Sequence, residues 1–375
     1  MEKFAGGNAT TDNDRELGIA GKRHREEEGT TVPTDRLSIL PEPILSNILS
    51  FLNTKSAVQT CVLSRSWRFT WKHIPVLNLR RDSFLEYCNF RRFVGKVLSF
   101  RYPHNARKIS YTDDEGSEDR DRIRLIRAIE YAASHDTEHL VIELKDYAKE
   151  NFRFSELFNS ISNSTLKTLE LGGVALDRGF ESPSFRWVTT LDLNRCMLSH
   201  NKKWDADPFS KFPCLENLVL NDCLCISGQS LMVSGLNLIS LKLIDMGFSK
   251  IEIFAPKLKS FSLWSDGTPA GFSTFDLPCL DHAYIQVFDP SMEGRKVLVE
   301  QHLTALFEGL RNAKSLALHS WTTQVLSDFD GFLEQPSPFT RLESLFLESK
   351  HLPHKVLNYF LKGPTVEPKV ELLRM

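Results

Sequence analysis

The chain has 375 residues, of which 41% are hydrophobic and 25% are charged, and its formal net charge at pH 7 is −2. These values match folded globular proteins and exclude a wholly disordered or collagen-like chain. No apolar stretch approaches the roughly 20 residues that a membrane-spanning helix needs, so we expect no membrane span. Residues 1–20 lack the basic and apolar regions of a secretory signal, which predicts an intracellular protein of the nucleus or cytoplasm.

Charge is distributed unevenly along the chain. Residues 35–110 contain 13 Lys or Arg and 4 Asp or Glu, a net charge of +9, whereas residues 111–180 contain 9 and 15, a net charge of −6. A basic segment can bind nucleic acid. Here the positive residues are interleaved with apolar residues of predicted helices, which favours a solvated helix surface or an acidic protein partner over nucleic acid.

Residues 1–34 are rich in Gly, Thr, Asp and Glu and contain few apolar residues. Such a segment cannot bury enough surface to offset the entropy lost on ordering, so we predict a disordered tail. Within it, Lys22–Arg25 form a short basic cluster of the kind found in nuclear-import signals. Three glutamates follow directly, which favours a solvated run of charges.

The segment from Asp35 to about residue 80 predicts three short helices. The first follows two prolines and carries apolar residues at helical spacing, namely Ile44, Leu45, Ile48, Leu49 and Leu52. Thr54 is predicted to cap a second helix, and Trp67 and Trp71 lie four residues apart in a third, from about Ser64 to His73. So small a module cannot bury all of its large apolar side chains, so we expect a partner or the next domain to cover some of them.

These residues form a pattern that resembles the F-box, especially its plant form: Leu40-Pro41, Ile44-Leu45, Ile48-Leu49, Phe51-Leu52, Lys55, Ala57-Val58, Val62-Leu63-Ser64 and Trp67. The F-box family docks on a Skp-type adaptor, which joins it to cullin and RING subunits in an SCF ubiquitin ligase. The resemblance implies that the residues facing the adaptor or supporting that interface are Leu37, Pro41, Ile44, Leu45, Ile48, Leu63 and Trp67. Pro43 and Asn53 depart from the family pattern, so the first interhelical turn is expected to differ slightly.

From about residue 106 the sequence repeats a phrase with apolar residues at its first, fourth and sixth positions. The fourth-position residues are Ile109, Leu140, Leu169, Leu191, Leu218, Leu241, Phe261, Ala283, Leu316 and Leu345, at spacings of 20 to 33 residues. This irregular period resembles leucine-rich repeats. Residues two apart in a strand point to the same face, so a stack of parallel strands would bury two apolar side chains from each repeat.

We therefore predict an α/β protein in which a three-helix F-box precedes an irregular leucine-rich-repeat solenoid. Strands are expected in alternation with helices or loops, the strands on the concave face and the helices around Leu125, Leu157–Ile161 and Leu303 on the convex face. The predicted segments are a tail over 1–34, the F-box over 35–80, a helical linker over 81–105, the repeats over 106–352, and a C-terminal helix and tail over 353–375.

No motif predicts catalysis, a metal or a cofactor. Gly172-Gly173 lacks the third glycine and the lysine of a phosphate-binding loop, and no nucleophile elbow occurs. Cys196 and Cys223 occupy the repeat position where a buried side chain supports the turn after the strand. The pair Cys223 and Cys225 lacks the second Cys or His pair that a zinc site would need. We therefore predict a non-enzymatic protein without cofactors.

The residues that alternate with the buried leucines are expected to line the concave face, where a protein target could bind. These residues include Glu170, Asp192, Val219, Lys242, Ser262 and Ala317. The aromatic ones fall in the later repeats, and aromatic side chains on a rigid surface commonly anchor a protein partner. The candidate substrate-binding residues are Trp264, Tyr284, His319 and Phe346.

The resemblance implies the substrate-recognition subunit of an SCF-type ubiquitin ligase, which positions an unidentified protein target near the catalytic subunits. Two alternatives remain open. One is a non-ligase interaction scaffold in which F-box-like helices only cap the solenoid; exposure of Leu45, Ile48 and Trp67 would argue against it. The other is a nucleic-acid-binding protein that uses residues 35–110, for which binding would weaken steeply with salt.

Overall fold

A computed structural model describes residues 37, 39–102, 106–113, 122–145, 153–158, 165–177, 185–198, 207–224, 230–273, 275–288, 295–348 and 354–373. The tail predicted for residues 1–34 lies outside these ranges, as do Ile161 and Cys225. The chain divides into a short unit that ends at Ile39 and a large unit over Leu40–Met375. Leu37 lies in a turn of the first unit. Every element named below belongs to the second.

The large unit begins with helices α1 (Glu42–Ser50) and α2 (Thr54–Gln59). Pro41 and Pro43 flank the start of α1, where a missing backbone N–H costs no helical hydrogen bond. The cap of α2 is Asn53, whose side-chain oxygen accepts a hydrogen bond from the Ser56 N–H at 2.8 Å. The prediction that Thr54 is the cap is therefore wrong by one residue, because the Thr54 hydroxyl oxygen instead accepts the Asn78 N–H at 2.7 Å.

The third helical segment of the F-box region is not an α-helix. Residues 65–69 form turns, and Thr70–His73 form a 3-10 helix. The Thr70 hydroxyl donates to the Ser66 carbonyl at 2.9 Å, and the Lys72 N–H bonds three residues back to the Phe69 carbonyl. A hydroxyl that competes for a backbone carbonyl favours this tighter winding over a regular α-helix.

The described residues include a sheet of twelve parallel strands. In spatial order the strands are β1 (Val76–Arg80), β2 (Lys108–Asp113), β3 (His139–Leu144), β4 (Thr168–Gly172), β6 (Thr190–Asn194), β8 (Asn217–Asn221), β10 (Ser240–Ile244), β12 (Ser260–Asp266), β14 (His282–Phe288), β15 (Ser315–Leu318), β16 (Ser344–Glu348) and β17 (Lys369–Leu373). The ten fourth-position residues lie in one continuous register across β2 to β16. The prediction of a parallel repeat stack is confirmed.

One face of this sheet is a continuous apolar core. Buried and half-exposed residues alternate along the strands, and Leu169, Leu191, Leu218 and Leu241 are each at most 1% exposed. Burying a leucine side chain contributes about 1.5–3 kcal/mol, so the stacked column is a main source of stability. The half-exposed residues line the opposite face, which we call the open sheet face.

The segments that connect the strands differ along the chain. Helices occur early and late: α3 (Tyr87–Phe100), α4 (Arg122–Ser134), α5 (Phe154–Phe158), α6 (Lys296–Gly309), α7 (Ser320–Ser327), α8 (Asp330–Glu334) and α9 (His354–Leu361). The middle repeats instead contain short strands: β5 (Ala175–Leu176) pairs with β7 (Met197–Leu198), and β11 (Lys250–Phe254) lies between β9 (Ser230–Ser234) and β13 (Gly271–Phe272).

In the described part of the middle repeats, the predicted connections of helices or loops are therefore built largely of short strands. From Leu169 to Ala283 the fourth-position residues are only 20 to 27 residues apart. A strand and two turns leave too few residues in that interval for a helix of average length, about 10 residues or more. Extended segments such as Leu231–Val233 supply buried side chains with fewer residues.

The F-box helices and the repeats share one hydrophobic core. Leu45 and Leu49 of α1 belong to the same buried cluster as the repeat leucines. Strand β1 follows the F-box helices directly and pairs with β2, although it lies within the segment assigned from the sequence to the F-box. The Arg101 guanidinium at the end of α3 donates to the Ile74 carbonyl at 2.7 Å. The buried side chains of α1, together with the hydrogen bond from the Asn78 N–H of β1 to the Thr54 hydroxyl of α2, therefore join these helices to the sheet.

The C-terminal segment contains more than the helix and tail predicted from the sequence. Strand β17 follows α9 and pairs with β16, with Val370 beside Leu345. The repeat pattern did not predict this strand, because Glu367 lies at the first position of the pattern, where an apolar residue is expected. Throughout the described ranges, every helix is too short or too polar to span a bilayer.

The end of α6 offers a test of core packing. A Cβ atom added at Gly309 would lie 2.2 Å from the Cζ atom of the buried Phe275 ring. We expect Gly309→Ala to lower the free energy of unfolding by about 1–3 kcal/mol, measured by urea denaturation. Gly331→Ala in α8 is the matched control: its nearest neighbour would be Glu300 Oε1 at 3.6 Å, and it should raise stability by about 0.5–1 kcal/mol. Equal effects of the two changes would contradict this packing.

Candidate functional site

The outer side of α1 is apolar and exposed. Ile44 and Ile48 lie one helical turn apart and are 47% and 38% exposed, whereas Leu45 and Leu49 face the core. Phe51 and Leu52, directly after the helix, are also exposed. An amphipathic helix normally turns a polar side to solvent, so this arrangement is typical of a helix that a partner covers.

Further exposed apolar residues follow α2. Val62 is 83% exposed and Leu63 is 70% exposed. Single exposed apolar residues are normal on a protein surface, but six within about 20 residues are not. We call the following six residues the F-box patch: Ile44, Ile48, Phe51, Leu52, Val62 and Leu63.

Basic side chains follow the patch in the chain. Arg65 and Arg68 are exposed, and the Lys72 ammonium lies 5.1 Å from the centre of the Phe69 ring and 5.2 Å from that of Tyr102. An apolar patch with cations beside it suits a partner that offers apolar side chains and carboxylates.

Six of the seven residues expected at the adaptor interface, all except Leu37, belong to the large unit, and they fall into two groups. Pro41, Ile44, Ile48 and Leu63 are exposed. Leu45 and Trp67 are only 2% and 7% exposed, so they support the surface from below. Exposure of Leu45, Ile48 and Trp67 was expected to argue against the scaffold alternative, and of these three residues Ile48 alone is exposed. Phe51, Leu52 and Val62 were not predicted as contacts, although helical spacing from Ile48 would have indicated Phe51 and Leu52.

The four predicted substrate-binding residues lie at the later strands of the open sheet face. Tyr284, Ala317 and Phe346 are neighbours in register on β14, β15 and β16. The Trp264 ring on β12 lies 5.4 Å from the Tyr284 ring, centre to centre. His319 follows β15, and its Nε2 atom lies 3.3 Å from Glu348 Oε2. All of these side chains are partly exposed, so the face is accessible to a ligand.

Polar contacts hold these rings in place. The Lys242 ammonium lies 4.9 Å from the centre of the Trp264 ring, and the Tyr284 hydroxyl donates to Gln286 Oε1 at 3.2 Å. Burial, together with the negative charge of Glu348, raises the pKa of Tyr284. The phenol therefore stays protonated and can donate a hydrogen bond over the physiological range.

The sequence analysis did not predict two aromatic residues that lie close to this group. The rings of Phe288 and Trp321 lie 4.6 Å apart, and Trp321 is 43% exposed. Phe288 shares the outward orientation of Tyr284, four residues along β14, so strand periodicity could have found it. Trp321 lies in the first turn of α7, capped by the His319 ring, and no repeat pattern indicated that helix.

The earlier strands of the open sheet face carry carboxylates. Glu170 on β4 and Asp192 on β6 are neighbours in register, and Glu143 lies on β3. Partial burial, together with Glu170, raises the pKa of Asp192, while Lys242 acts in the opposite direction and Glu143 adds to the rise. Like charges in adjacent strands oppose folding, so this group is held together at a cost in stability.

Cys196 and Cys223 occupy the repeat position expected of them. Both thiols are fully buried and donate back to the preceding strand: Cys196 to the Leu171 carbonyl at 3.3 Å and Cys223 to the Leu193 carbonyl at 3.4 Å. Burial raises the pKa of Cys196 to about 12, so its thiol is an unreactive structural donor. Among the described residues, no three His, Cys, Asp or Glu side chains are grouped to hold a metal.

Comparison with known proteins agrees with this architecture. The model of the F-box domain matches residues 37–79. F-box/FBD/LRR-repeat protein At1g78750 of Arabidopsis thaliana is 28% identical over 372 residues, which is 92% of this chain and 78% of that protein. F-box/LRR-repeat protein 13 of the same plant is 27% identical, over 94% of this chain and 78% of its own length.

The chain thus contains an F-box domain followed by leucine-rich repeats. The exposed helices, the domain match and the twelve-stranded parallel sheet define this class. More particularly, the chain is similar over most of its length to plant F-box/LRR-repeat proteins. The names of several of these relatives also include an FBD region.

The carboxylates of the open sheet face lead to a prediction about pH. Because the pKa of Asp192 is raised in the folded state, the folded protein binds its proton more tightly, and ionisation of Asp192 as the pH rises opposes folding. Asp192→Asn should therefore increase the free energy of unfolding at pH 7, by about 1 kcal/mol or less. The gain should shrink as the pH falls toward 4, as measured by urea denaturation across that range.

Asp281→Asn serves as a control of opposite sign. The Lys314 ammonium donates to Asp281 Oδ1 at 2.7 Å and lowers the pKa of that carboxyl. Its stabilising effect is present above the unfolded-state pKa and is lost as the pH falls, so Asp281→Asn should lower stability at pH 7. If Asp192→Asn behaves like Asp281→Asn, the description of the carboxylate group is wrong.

Proposed function

We propose that this protein is the substrate-recognition subunit of an SCF-type ubiquitin ligase. Its F-box domain binds a Skp-type adaptor, and through it cullin and RING subunits. Its repeats bind a protein target for ubiquitination. The chain itself performs no catalysis: its contribution is to hold a target lysine near the ubiquitin donor, which makes the transfer effectively intramolecular.

The observation that carries this proposal is the F-box patch. Its six exposed apolar residues fall within the segment that the F-box model matches. A helical cap whose only role is to close the solenoid would turn polar residues outward, because exposed apolar patches favour association. The scaffold alternative is less favoured for this reason.

The contacts between the F-box helices and the sheet fit the same role. Thr54 of α2 bonds to Asn78 of β1, and the Lys55 ammonium lies 4.5 Å from the centre of the Phe84 ring. A target bound to the open sheet face is therefore held at a fixed distance from the adaptor. Proximity accelerates a transfer only when the two groups are held in a defined geometry.

The burial of each residue decides which change tests the adaptor interface. Ile44→Asp with Ile48→Asp alters exposed side chains, whereas Leu45→Asp would place a charge in the core. We expect the double change to weaken binding of a plant Skp-type adaptor, by about 30-fold for each side chain if both are central contacts. Co-purification followed by calorimetric titration of the full chain measures this.

Leu85→Asp with Val366→Asp is the matched control. Both residues are exposed apolar side chains of the large unit outside the F-box patch, at 102% and 75% exposure. This control should bind the adaptor like the wild type, and both double variants should keep the wild-type thermal unfolding profile. A folded wild-type chain that forms no complex with the adaptor would refute the proposal and leave the scaffold alternative.

A further inference from the structure

The open sheet face is predominantly acidic between β3 and β16. In the described strands, its outward-facing positions carry five carboxylates and one amine: Glu143, Glu170, Asp192, Asp266 and Glu348, with Lys242. The Arg195 guanidinium, just beyond β6, lies 3.5 Å from Glu143 and offsets one of these charges. Lys242 is engaged with the Trp264 ring. Lys242 also attracts Asp192. Among the described residues, neither Glu170 nor Asp192 forms an ion pair, and the two face outward side by side.

In the aromatic part of the same face, a small residue lies between two aromatic residues, and we call the space above it the slot. Ala317 on β15 lies between Tyr284 on β14 and Phe346 on β16, in register. Strands lie about 4.8 Å apart, so the backbones that carry the two rings are about 10 Å apart, with only a methyl group between them. An aliphatic or aromatic side chain can enter from solvent and contact both rings. His319 and Glu348 form the polar end of this slot.

The distance between the two parts sets the length of a ligand that reaches both. Asp192 on β6 and Tyr284 on β14 are four strand steps apart in the sheet order. At about 4.8 Å for each step the separation is about 19 Å, which an extended chain covers with about six residues. The ligand that fits is therefore a peptide that crosses the strands, rather than a compact small molecule.

We propose that the open sheet face binds an extended basic segment of the target protein, with Lys or Arg over Glu170 and Asp192 and an apolar side chain in the slot above Ala317. This inference rests on the proposed function for the existence of a target, and it adds the chemistry of that target. Charge complementarity selects the occupant: an acidic peptide or a nucleic acid would be repelled by the unpaired carboxylates.

The raised pKa of Asp192 supports this assignment. Two carboxylates held in adjacent strands repel each other, and a cation placed over both would relieve that repulsion. Binding of the basic segment should therefore be accompanied by an increase in stability of the folded chain, because a ligand that binds only the folded state shifts the unfolding equilibrium.

The test uses the full-length chain and a peptide probe of defined sequence. The probe is the dye-labelled peptide RRGSGSGF, in which five residues lie between the second arginine and the phenylalanine, so that the two are about 20 Å apart in an extended chain. Fluorescence anisotropy at low ionic strength gives its dissociation constant. The comparison peptides are EEGSGSGF, which reverses the charge, and RRGSGSGS, which lacks the apolar anchor. We expect EEGSGSGF to bind at least about tenfold more weakly than RRGSGSGF.

Two variants test separately whether the carboxylates and the slot contribute to peptide binding. Glu170→Gln with Asp192→Asn should weaken binding of the probe about tenfold and reduce its salt dependence. Ala317→Leu fills the slot, so RRGSGSGF should then bind no more tightly than RRGSGSGS. Glu130→Gln with Glu334→Gln makes the same change in net charge on α4 and α8, where both side chains are exposed, and should leave the dissociation constant within about twofold.

The outcomes separate this inference from the proposed function. If RRGSGSGF binds no more tightly than EEGSGSGF, or if the carboxylate variants have no effect, the inference is overturned. Adaptor binding depends on the F-box patch and should be unchanged in every one of these variants. If the chain binds the adaptor but does not prefer RRGSGSGF, only the inference of a basic target segment is refuted. If the chain prefers RRGSGSGF but does not bind the adaptor, only the proposed function as a ubiquitin-ligase subunit is refuted.

Discussion

The structure depends on the registration of each repeat strand with the next. After β6, β8 and β10 the chain turns through a residue in the left-handed conformation, Arg195, Asp222 and Asp245, with φ between 48° and 51°. The N–H of each donates to the carbonyl of the following strand at 2.7 to 2.9 Å. This turn bonds the end of each strand to the following strand. The buried thiols of Cys196 and Cys223 bond the same turns to the preceding strand. Repeats of unequal length therefore keep one register, since a slip of one residue would expose every leucine.

A continuous register also determines how the F-box is attached. Leu77 of β1 lies beside Ile109, so the first strand of the stack begins directly after the F-box helices. Leu45 and Leu49 then complete the core at this end of the sheet. The same helix that is fixed by its buried side presents Ile44 and Ile48 to solvent. Attachment to the repeats and availability to a partner thus use opposite sides of one short helix.

The sequence predicted the strand register because it depends on a local pattern. Apolar residues two apart in a strand must share a face, so the ten fourth-position residues could be aligned without knowledge of the rest of the fold. The exposed side of α1 depends instead on what packs against it, and Leu45 and Ile48 are equally apolar in the sequence. The 3-10 winding at Thr70–His73 is accompanied by a side-chain hydrogen bond from Thr70 to Ser66, and strand β17 pairs with β16. Apolar periodicity predicts neither feature.

The two faces of the sheet divide stability from recognition. The leucine face lies in the continuous hydrophobic core, and each repeat depends on its neighbours there. The open sheet face contributes little to folding, and the side-by-side carboxylates Glu170 and Asp192 even oppose it. Unfavourable arrangements of this kind are typical of surfaces shaped by binding, where a stabilising change is available but costs function. Because the leucine column, the left-handed turns and the buried thiols maintain the register, replacement of outward-facing residues such as Ala317 and Phe346 can change the bound partner without changing the fold.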